Sequence, residues 1–251
     1  MKRRLGCLVL LLVAAQCGAV ASPAATADAA WSTVLSRFVD DQGRVDFRGL
    51  ARDGRDLDVA VAGIAALAPG NAPAAFPTPA DRLAFHVNAY NALAMEHVVR
   101  RGIPGRLSLL GRLGFFVLSR VTVGGRSMSL YDYENDVVRP LGDERVHFAL
   151  NCMSVSCPRL PRTPFHAASL DRELDAAARG FFAEARNVQV DDARHVVRLS
   201  SILSFYKADF LAHAPSLADY VNRYRALPVP AGYRVEFIPY DWTINIQPAA
   251  S

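Results

Sequence analysis

The longest regular pattern of apolar residues runs from Pro79 to Arg100 and predicts an amphipathic α-helix. Apolar side chains recur every three or four residues along it, which places them on one face of a helix. Thr78 stands where an N-terminal cap is expected, Asp81 follows three residues later, and Gly102 ends the pattern. The predicted buried stripe comprises Leu83, Val87, Tyr90, Ala94 and Val98.

Two asparagines on this helix differ in their distance from the apolar stripe. Successive residues of a helix are about 100° apart around its axis, so Asn91 falls about 40° from Val87. We therefore expect the Asn91 amide to be at least half-buried. Asn88 lies farther from the stripe, and we expect it to be less enclosed by the core.

Shorter patterns predict a second helix and several strands. Asp171 and Glu173 give acidic charge to the first turn of a helix predicted over Ser169–Glu184. Gly124 and Gly125 separate two alternating runs and predict a β-hairpin. Because helices and strands do not alternate regularly, the sequence predicts an α+β fold: one compact domain with a central, mostly antiparallel sheet and packed helices. Other strands are predicted at Arg145–Asn151, Arg194–Leu199 and Arg234–Ile238.

The N-terminus has the composition of an export signal. The basic residues Lys2–Arg4 precede the apolar run Leu5–Val13, and Ala19–Ala21 supplies the small residues that a signal peptidase recognises. We expect residues 1–21 to be removed and residues 22–251 to form a single exported domain, either periplasmic or secreted. A lipid anchor at Cys17 is not favoured, because Gln16 stands where a small residue normally precedes a lipidated cysteine.

Composition and charge exclude several other classes of protein. The chain has 28 basic and 24 acidic residues, and the predicted signal contains three of the basic residues and none of the acidic ones. The mature chain is thus almost neutral, which argues against a nucleic-acid partner. Beyond the signal, no apolar run is long enough to cross a membrane. Four cysteines in 251 residues are also too few for a disulfide-dense scaffold.

The densest group of reactive side chains lies between His147 and Cys157. Cleavage of the signal leaves only two cysteines, Cys152 and Cys157, in a compartment that permits disulfides. They can form a structural disulfide, or Cys152 can be a nucleophilic thiol activated by a histidine. A metal site with His147 or His166 is not favoured, because the cysteines lack the spacing of common zinc ligands. We predict no metal and no cofactor.

The geometry of the predicted strand separates His147 from Cys152. Five residues of extended chain span roughly 16 Å, and an odd separation places the two side chains on opposite faces. They can meet only if the chain turns sharply after Leu150. Near the C-terminus, Asp241 and Asn245 lie among aromatic residues, either in a terminal strand that packs on the core or as the orienting group of a polar site.

These residues resemble the family known as domain of unknown function 547, which occurs in exported bacterial proteins and in plant proteins. The resemblance covers roughly residues 31–247. In plant members the second cysteine is often serine, which favours Cys152 as the residue with a chemical role. The family usually has Trp at the position of His86, so a catalytic role for His86 is discounted. The matching motifs are Trp31, Ala84–Leu93, Tyr133-Glu134 with Arg139, His147–Pro158, Phe205–Phe210 and Tyr240–Asn245.

One Cys, one His and one Asp or Asn in a compact α+β domain also look like papain-like and transglutaminase-like thiol enzymes, by analogy of fold. We therefore predict an exported thiol-dependent hydrolase or acyltransferase that acts on an amide or ester in the cell envelope. Cys152 is its expected nucleophile, His147 its base and Asp241 the orienting residue. Expected substrate-binding residues are Asn88, Asn91, Ser154 and Asn245.

The alternative hypothesis is a protein that binds without catalysis. In that case a Cys152–Cys157 disulfide stabilises a periplasmic binding module, and the polar residues line a groove. Its ligand would be an envelope peptide, a glycan or a small molecule. The redox state and the alkylation rate of the two cysteines distinguish the two hypotheses.

Overall fold

A computed structural model describes residues 23–248, and the predicted signal peptide with Cys17 lies outside the described residues. The fold begins with three helices, of which the first packs against the third. The short second helix is capped by Asp46, whose carboxylate accepts a hydrogen bond from the Gly49 N–H at 2.8 Å. The three helices are α1 (Pro23–Phe38), α2 (Phe47–Arg52) and α3 (Arg55–Ala66).

The predicted long helix is confirmed as α4 (Pro79–Arg100). Thr78 Oγ1 accepts from the Asp81 N–H at 3.1 Å, and the Asp81 carboxylate accepts from the Thr78 N–H at 2.9 Å, which completes a capping box. All five residues of the predicted stripe are buried. Most other side chains between residues 83 and 98 are buried as well, so α4 is a central element of the core.

A helical segment and a hairpin follow α4. Helix α5 (Leu109–Arg112) continues directly into a π-helix, Leu113–Leu118. Strands β1 (Arg120–Val123) and β2 (Arg126–Ser129) then pair antiparallel, which confirms the predicted hairpin. Gly124 and Gly125 have φ of 55° and 78°, and a tight two-residue turn requires this left-handed backbone. Next come α6 (Leu130–Asp132), a π-helix (Tyr133–Val138) and a 3₁₀-helix (Arg139–Leu141).

The strand predicted at Arg145–Asn151 is wrong, because the chain forms a 3₁₀-helix over Glu144–Phe148. The Asp143 carboxylate caps this helix by accepting from the Arg145 N–H at 3.0 Å. Residues 146–151 are buried whichever way their side chains point, so the alternating pattern did not mark one face of a sheet. The tight helical turn also removes the extended spacing expected between residues 147 and 152.

The C-terminal part contains a helix and a three-stranded sheet. Helix α7 (Leu170–Ala183) confirms the second predicted helix. The sheet has the order β3 (Val188–Asp191), β4 (Val196–Ser200), β5 (Arg234–Ile238), with β3 antiparallel and β5 parallel to β4. The strand predicted over Arg234–Ile238 is therefore confirmed as β5. The strand predicted at Arg194–Leu199 begins and ends later, at Val196 and Ser200. Three short helices connect β4 to β5: α8 (Ile202–Phe205), α9 (Lys207–Leu211) and α10 (Leu217–Asn222).

The α+β fold is confirmed, with its strands divided between a two-stranded and a three-stranded sheet. Its apolar core consists of two clusters of buried residues, one around α1 to α4 and the other around α7 to α10 and the larger sheet. Val146 and Ala149 belong to the first cluster, whereas Phe148 belongs to the second. The segment that leads to Cys152 thus passes between the two clusters.

The C-terminal residues return to this boundary. Instead of a terminal strand they form single bridges, in which Thr243 pairs with Arg106 and Ile244 pairs with Ser154. The backbone N–H of Val155 donates to the Thr243 carbonyl at 2.8 Å. These contacts place Tyr240 and the cysteine loop side by side.

Candidate functional site

A cavity of about 550 Å³ lies at the boundary between the two core clusters. Two larger cavities, of about 660 and 740 Å³, contain none of the three predicted catalytic residues. The smaller cavity is lined by both cysteines and by His147. Its other polar or ionisable lining residues are Tyr90, Arg112, Tyr131, Glu134, Asn135, Arg139, Tyr206, Tyr240 and Trp242.

The two asparagines of α4 hold backbone segments. Asn91 is 1% exposed, as expected, and it donates to the Ala149 carbonyl at 3.0 Å and accepts from the Asn151 N–H at 2.7 Å. Half-buried Asn88 donates to the carbonyl and accepts from the N–H of Phe165, at 2.8 and 3.0 Å. Neither side chain lines the cavity. In this structure both amides are hydrogen-bonded to backbone groups, and their predicted role in substrate binding stays a prediction.

The loop that carries the cysteines is closed by Asn151. Its amide oxygen accepts from the Met153 N–H, and its amide nitrogen donates to the Pro158 carbonyl, both at 2.6 Å. Met153 has a φ angle of 63°, in the left-handed region of backbone conformation that residues other than Gly rarely adopt. Since Asn91 binds the Asn151 backbone, helix α4 fixes the position of the loop just before Cys152.

The two cysteine side chains meet at the cavity wall. Their sulfur atoms lie within disulfide-bonding distance, and the Cα atoms of Cys152 and Cys157 are 6.3 Å apart. Cys152 is partly exposed, whereas Cys157 is buried. Ser154 Oγ lies 3.0 Å from the Cys152 sulfur, and the Tyr240 hydroxyl lies 3.3 Å from it. Burial raises the pKa of Tyr240, so its phenol keeps its proton at neutral pH.

His147 forms a charged cluster with Asp209 and Arg139. Its Nε2 atom lies 2.8 Å from a carboxylate oxygen of Asp209, and its ring stacks on Tyr206 with centroids 3.8 Å apart. Two N–H groups of Arg139 donate to the same carboxylate at 2.9 and 2.8 Å. Hydrogen bonds from His147 and Arg139 hold the pKa of Asp209 well below its usual value. Asp209 is therefore ionised across the neutral range.

A buried carboxylate lies next to this cluster. Glu134 accepts a hydrogen bond from the Tyr90 hydroxyl at 3.0 Å and a second, short one from the Tyr206 hydroxyl. Burial raises the pKa of both tyrosines well above the usual value, so both phenols remain donors. Because Tyr206 also stacks on His147, it contacts both Glu134 and the cluster of His147, Asp209 and Arg139.

Asp209, and not Asp241, occupies the orienting position at His147. The Asp241 carboxylate instead accepts from the N–H and the hydroxyl of Thr243, at 3.0 and 2.7 Å. These hydrogen bonds from Thr243 lower the pKa of Asp241. Asn245 donates to the Gly43 carbonyl at 3.2 Å. Neither Asp241 nor Asn245 lines the cavity.

Three lining residues of the cavity, Glu134, Arg139 and Tyr206, were not identified as site residues from the sequence, and neither was Asp209, which is hydrogen-bonded to His147. Each belongs to a motif that combines an acidic residue with an aromatic one: Tyr133-Glu134 before Arg139, and Tyr206 before Asp209. In both motifs the charged residue falls in a short helical segment with apolar neighbours. A carboxylate in such a setting is a signal of a buried polar cluster, because an unpaired buried charge is strongly destabilising.

Residues 75–182 match the family model described as "Protein of unknown function, DUF547". The resemblance predicted from the sequence is thereby confirmed over this stretch, which includes α4, Glu134, His147 and Cys152. Asp209 and Tyr240 follow the matched residues. No curated protein and no solved structure matches the chain. The description of the family assigns no activity, so an argument about function depends on the geometry of the cavity.

Proposed function

We propose that this protein, in which residues 75–182 match the DUF547 model, is an exported thiol-dependent hydrolase or acyltransferase that acts on an amide or ester in the cell envelope. Cys152 is the nucleophile, His147 is the base, and Asp209 orients the base. One observation carries the proposal: Cys152 and His147 line the same cavity, and His147 is hydrogen-bonded to an ionised carboxylate.

The hydrogen bond to Asp209 determines which nitrogen of His147 can accept a proton. Because Nε2 donates to the carboxylate, the other ring nitrogen, Nδ1, carries the free lone pair. Within residues 23–248 the only hydrogen bond of the His147 ring is that of Nε2 to Asp209, so Nδ1 is hydrogen-bonded neither to Cys152 nor to another described group. The carboxylate also stabilises the positive charge that the imidazole gains when it takes a proton.

The reaction proceeds through a thioester. The Cys152 thiol gives its proton to His147 Nδ1 by way of a water molecule in the cavity, since the two side chains are not hydrogen-bonded to each other. The sulfur then attacks the carbonyl carbon of the substrate. The tetrahedral intermediate collapses when its C–N or C–O bond breaks and the leaving amine or alcohol takes the proton from His147. Water, or an acceptor amine or alcohol, then cleaves the thioester and the thiol is restored.

A phenol is positioned to stabilise the negative oxygen of the intermediate. Ser154 donates its hydroxyl proton to the Tyr240 oxygen at 3.2 Å, which leaves the proton of Tyr240 for another acceptor. The Tyr240 hydroxyl lies 3.3 Å from the Cys152 sulfur, beside the carbon that the sulfur attacks. Its raised pKa keeps it a donor throughout the neutral range.

The thiol must be free before it can react. In the oxidised form a Cys152–Cys157 disulfide blocks the nucleophile, and a dithiol reductant releases it. The reductant gives two electrons and two protons to the cysteine pair and becomes a disulfide itself. Cys152 is partly exposed and lines the cavity, so the cavity also provides access for such a reductant.

The close approach of the two cysteines favours a second candidate function. A permanent disulfide makes the protein a binding module, in which the cavity holds an envelope peptide, a glycan or a small molecule without reaction. Glu134 and Arg139, which line the cavity, then supply polar contacts to the ligand. The two functions differ in whether His147 affects the reactivity of a thiol.

The effect of His147 on acylation of the reduced protein by p-nitrophenyl acetate tests the proposal. We expect His147→Gln to slow the release of nitrophenol by about 10²–10⁴-fold, because the base for Cys152 is lost. Asp209→Asn is expected to slow the release as well, because the imidazole loses its orienting carboxylate. His166→Gln is the matched control, since His166 also pairs with a carboxylate, that of Glu173 at 3.1 Å, but lies outside the cavity.

The thermal melting temperature of each variant is measured alongside the rate. Unchanged rates in folded His147→Gln and Asp209→Asn would contradict the proposed base and favour the binding module. A slower rate in His166→Gln equal to that in His147→Gln would show that the effect is not specific to the cavity.

A further inference from the structure

Residues 109–118, which form α5 and the following π-helix, expose an unusual number of large apolar side chains. Leu109, Leu110 and Leu118 are 74%, 78% and 67% exposed, and Leu113 and Val117 are exposed too. Soluble domains commonly expose single apolar residues, but a contiguous apolar patch marks an interaction surface. We call residues 109–118 the apolar segment.

The apolar segment forms part of the mouth of the cavity. Leu109, Leu113 and Val117 recur at helical spacing and line the cavity, with Leu110 and Leu118 beside them. Two more exposed aromatic side chains, Tyr131 and Phe205, line the same cavity from other segments. An apolar rim therefore surrounds a polar interior that holds Cys152, His147 and Glu134.

The chain around the apolar segment is positively charged. Residues 97–131 contain no Asp or Glu. Arg101 and Arg106 are exposed just before the segment, and the guanidinium of Arg112 lies 4.6 Å from the centre of the Trp242 ring beside the cavity. The six arginines of this stretch are Arg100, Arg101, Arg106, Arg112, Arg120 and Arg126.

We propose that the apolar segment docks the protein on an anionic lipid surface, with the mouth of the cavity facing the lipid. Exposed leucines enter the boundary between headgroups and acyl chains, and the neighbouring arginines bind the negatively charged headgroups. Within the described residues no helix is both long and apolar enough to cross a bilayer.

The charge distinguishes a lipid surface from a second copy of this chain. In a twofold dimer built on the apolar segment, the arginines of one copy would lie near those of the other. Arg100 and Arg120 already pair with Glu96 and Asp132. Arg101, Arg106 and Arg112 form no ion pair within residues 23–248, so their like charges would oppose the contact. An anionic bilayer supplies the opposite charge and an apolar interior together. The proposal does not depend on the chemistry of Cys152.

Sedimentation with phospholipid vesicles tests the proposal. We expect the purified protein to bind vesicles containing phosphatidylglycerol about tenfold or more tightly than pure phosphatidylcholine vesicles, and to bind less tightly as salt is added. The double variant Leu110→Asp, Leu118→Asp is expected to lower binding by about tenfold or more, because both side chains leave the apolar boundary. Neither residue lines the cavity, so the cavity is unchanged.

Leu227→Asp is the matched control, because Leu227 is 77% exposed but lies far along the chain from the apolar segment. It is expected to bind as the unmodified protein does. Circular dichroism melts check each fold, and the pair Leu110→Ser, Leu118→Ser replaces the aspartates if they lower the melting temperature. Absence of binding to anionic vesicles, or equal binding by the double variant, would overturn the proposal. The proposal would also be overturned if the unmodified protein formed a dimer in solution and did not bind vesicles, and if the double variant abolished that dimer.

Discussion

Cys152→Ser is expected to abolish alkylation by iodoacetamide at neutral pH in the reduced protein, whereas Cys157→Ser is expected to retain most of it. Residue Cys152 is partly exposed at the cavity wall, whereas Cys157 is 3% exposed. Thiol reactivity requires access as well as a nearby base, and Cys152 has the better access. The rates are followed by mass spectrometry of the modified peptides.

The same two variants test the structural role of the disulfide. A permanent bridge would make both substitutions lose the same stability, about 2–4 kcal/mol or less for so short a ring, because either change opens the same bond. Thermal melts of the oxidised proteins measure this loss. Equal losses of stability together with equal alkylation rates would support the binding module and contradict the assignment of Cys152 as the nucleophile.

The protein is expected to lose most of its stability between pH 6.5 and pH 4, because two buried histidines must be protonated on unfolding. Burial lowers the pKa of His86 to about 4 and that of His97 to about 4. Exposed histidine has a pKa near 6.5, so the unfolded chain binds more protons in this range, and the stability present above pH 6.5 falls as the pH falls. The loss is about 3 kcal/mol for each histidine, which together is a large part of the stability of a typical domain.

Denaturant unfolding at a series of pH values measures this dependence. His86→Gln is expected to halve the fall in unfolding free energy between pH 6.5 and pH 4, because one of the two titrating imidazoles is gone. This holds even if the substitution lowers the stability at pH 7. His195→Gln is the control, since His195 is exposed and its substitution leaves both buried histidines in place. An unchanged slope of unfolding free energy against pH in His86→Gln would contradict the assignment.

Local patterns in the sequence predicted the elements whose side chains divide clearly between core and solvent. The spacing of Leu83, Val87 and Tyr90 predicted α4 and the burial of Asn91, and Thr78 and Gly102 marked the two ends of the helix. Gly124 and Gly125 marked the hairpin, because few other residues adopt the backbone of such a turn. In these elements the local preference and the global fold agree.

The alternation of residue types gave a wrong prediction where a segment is buried on all sides. Val146 and Phe148 alternate with His147 and Ala149, but all four side chains are buried. Val146 and Phe148 even belong to different core clusters. Alternation is evidence for a strand only when one face is exposed. The cap at Asp143 instead favours a tight helical turn.

The partner of His147 could not be predicted for a different reason. Asp209 is 62 residues away in the sequence, and the contact is created by the arrangement of α9 against the segment before the cysteines. Asp241 was preferred because it lies among aromatic residues, but its carboxylate is satisfied locally by Thr243. Side chains bound to their own turn are less available for a distant partner.

The central claim is that the Cys152 sulfur becomes acylated with the help of His147. The most direct measurement is mass spectrometry of the reduced protein after rapid acid quenching during reaction with p-nitrophenyl acetate. We expect one added acetyl group on the peptide that contains Cys152 in the unmodified protein, and a strongly reduced amount in His147→Gln. An absence of acetylation at Cys152, or the same amount and rate in His147→Gln, would contradict it.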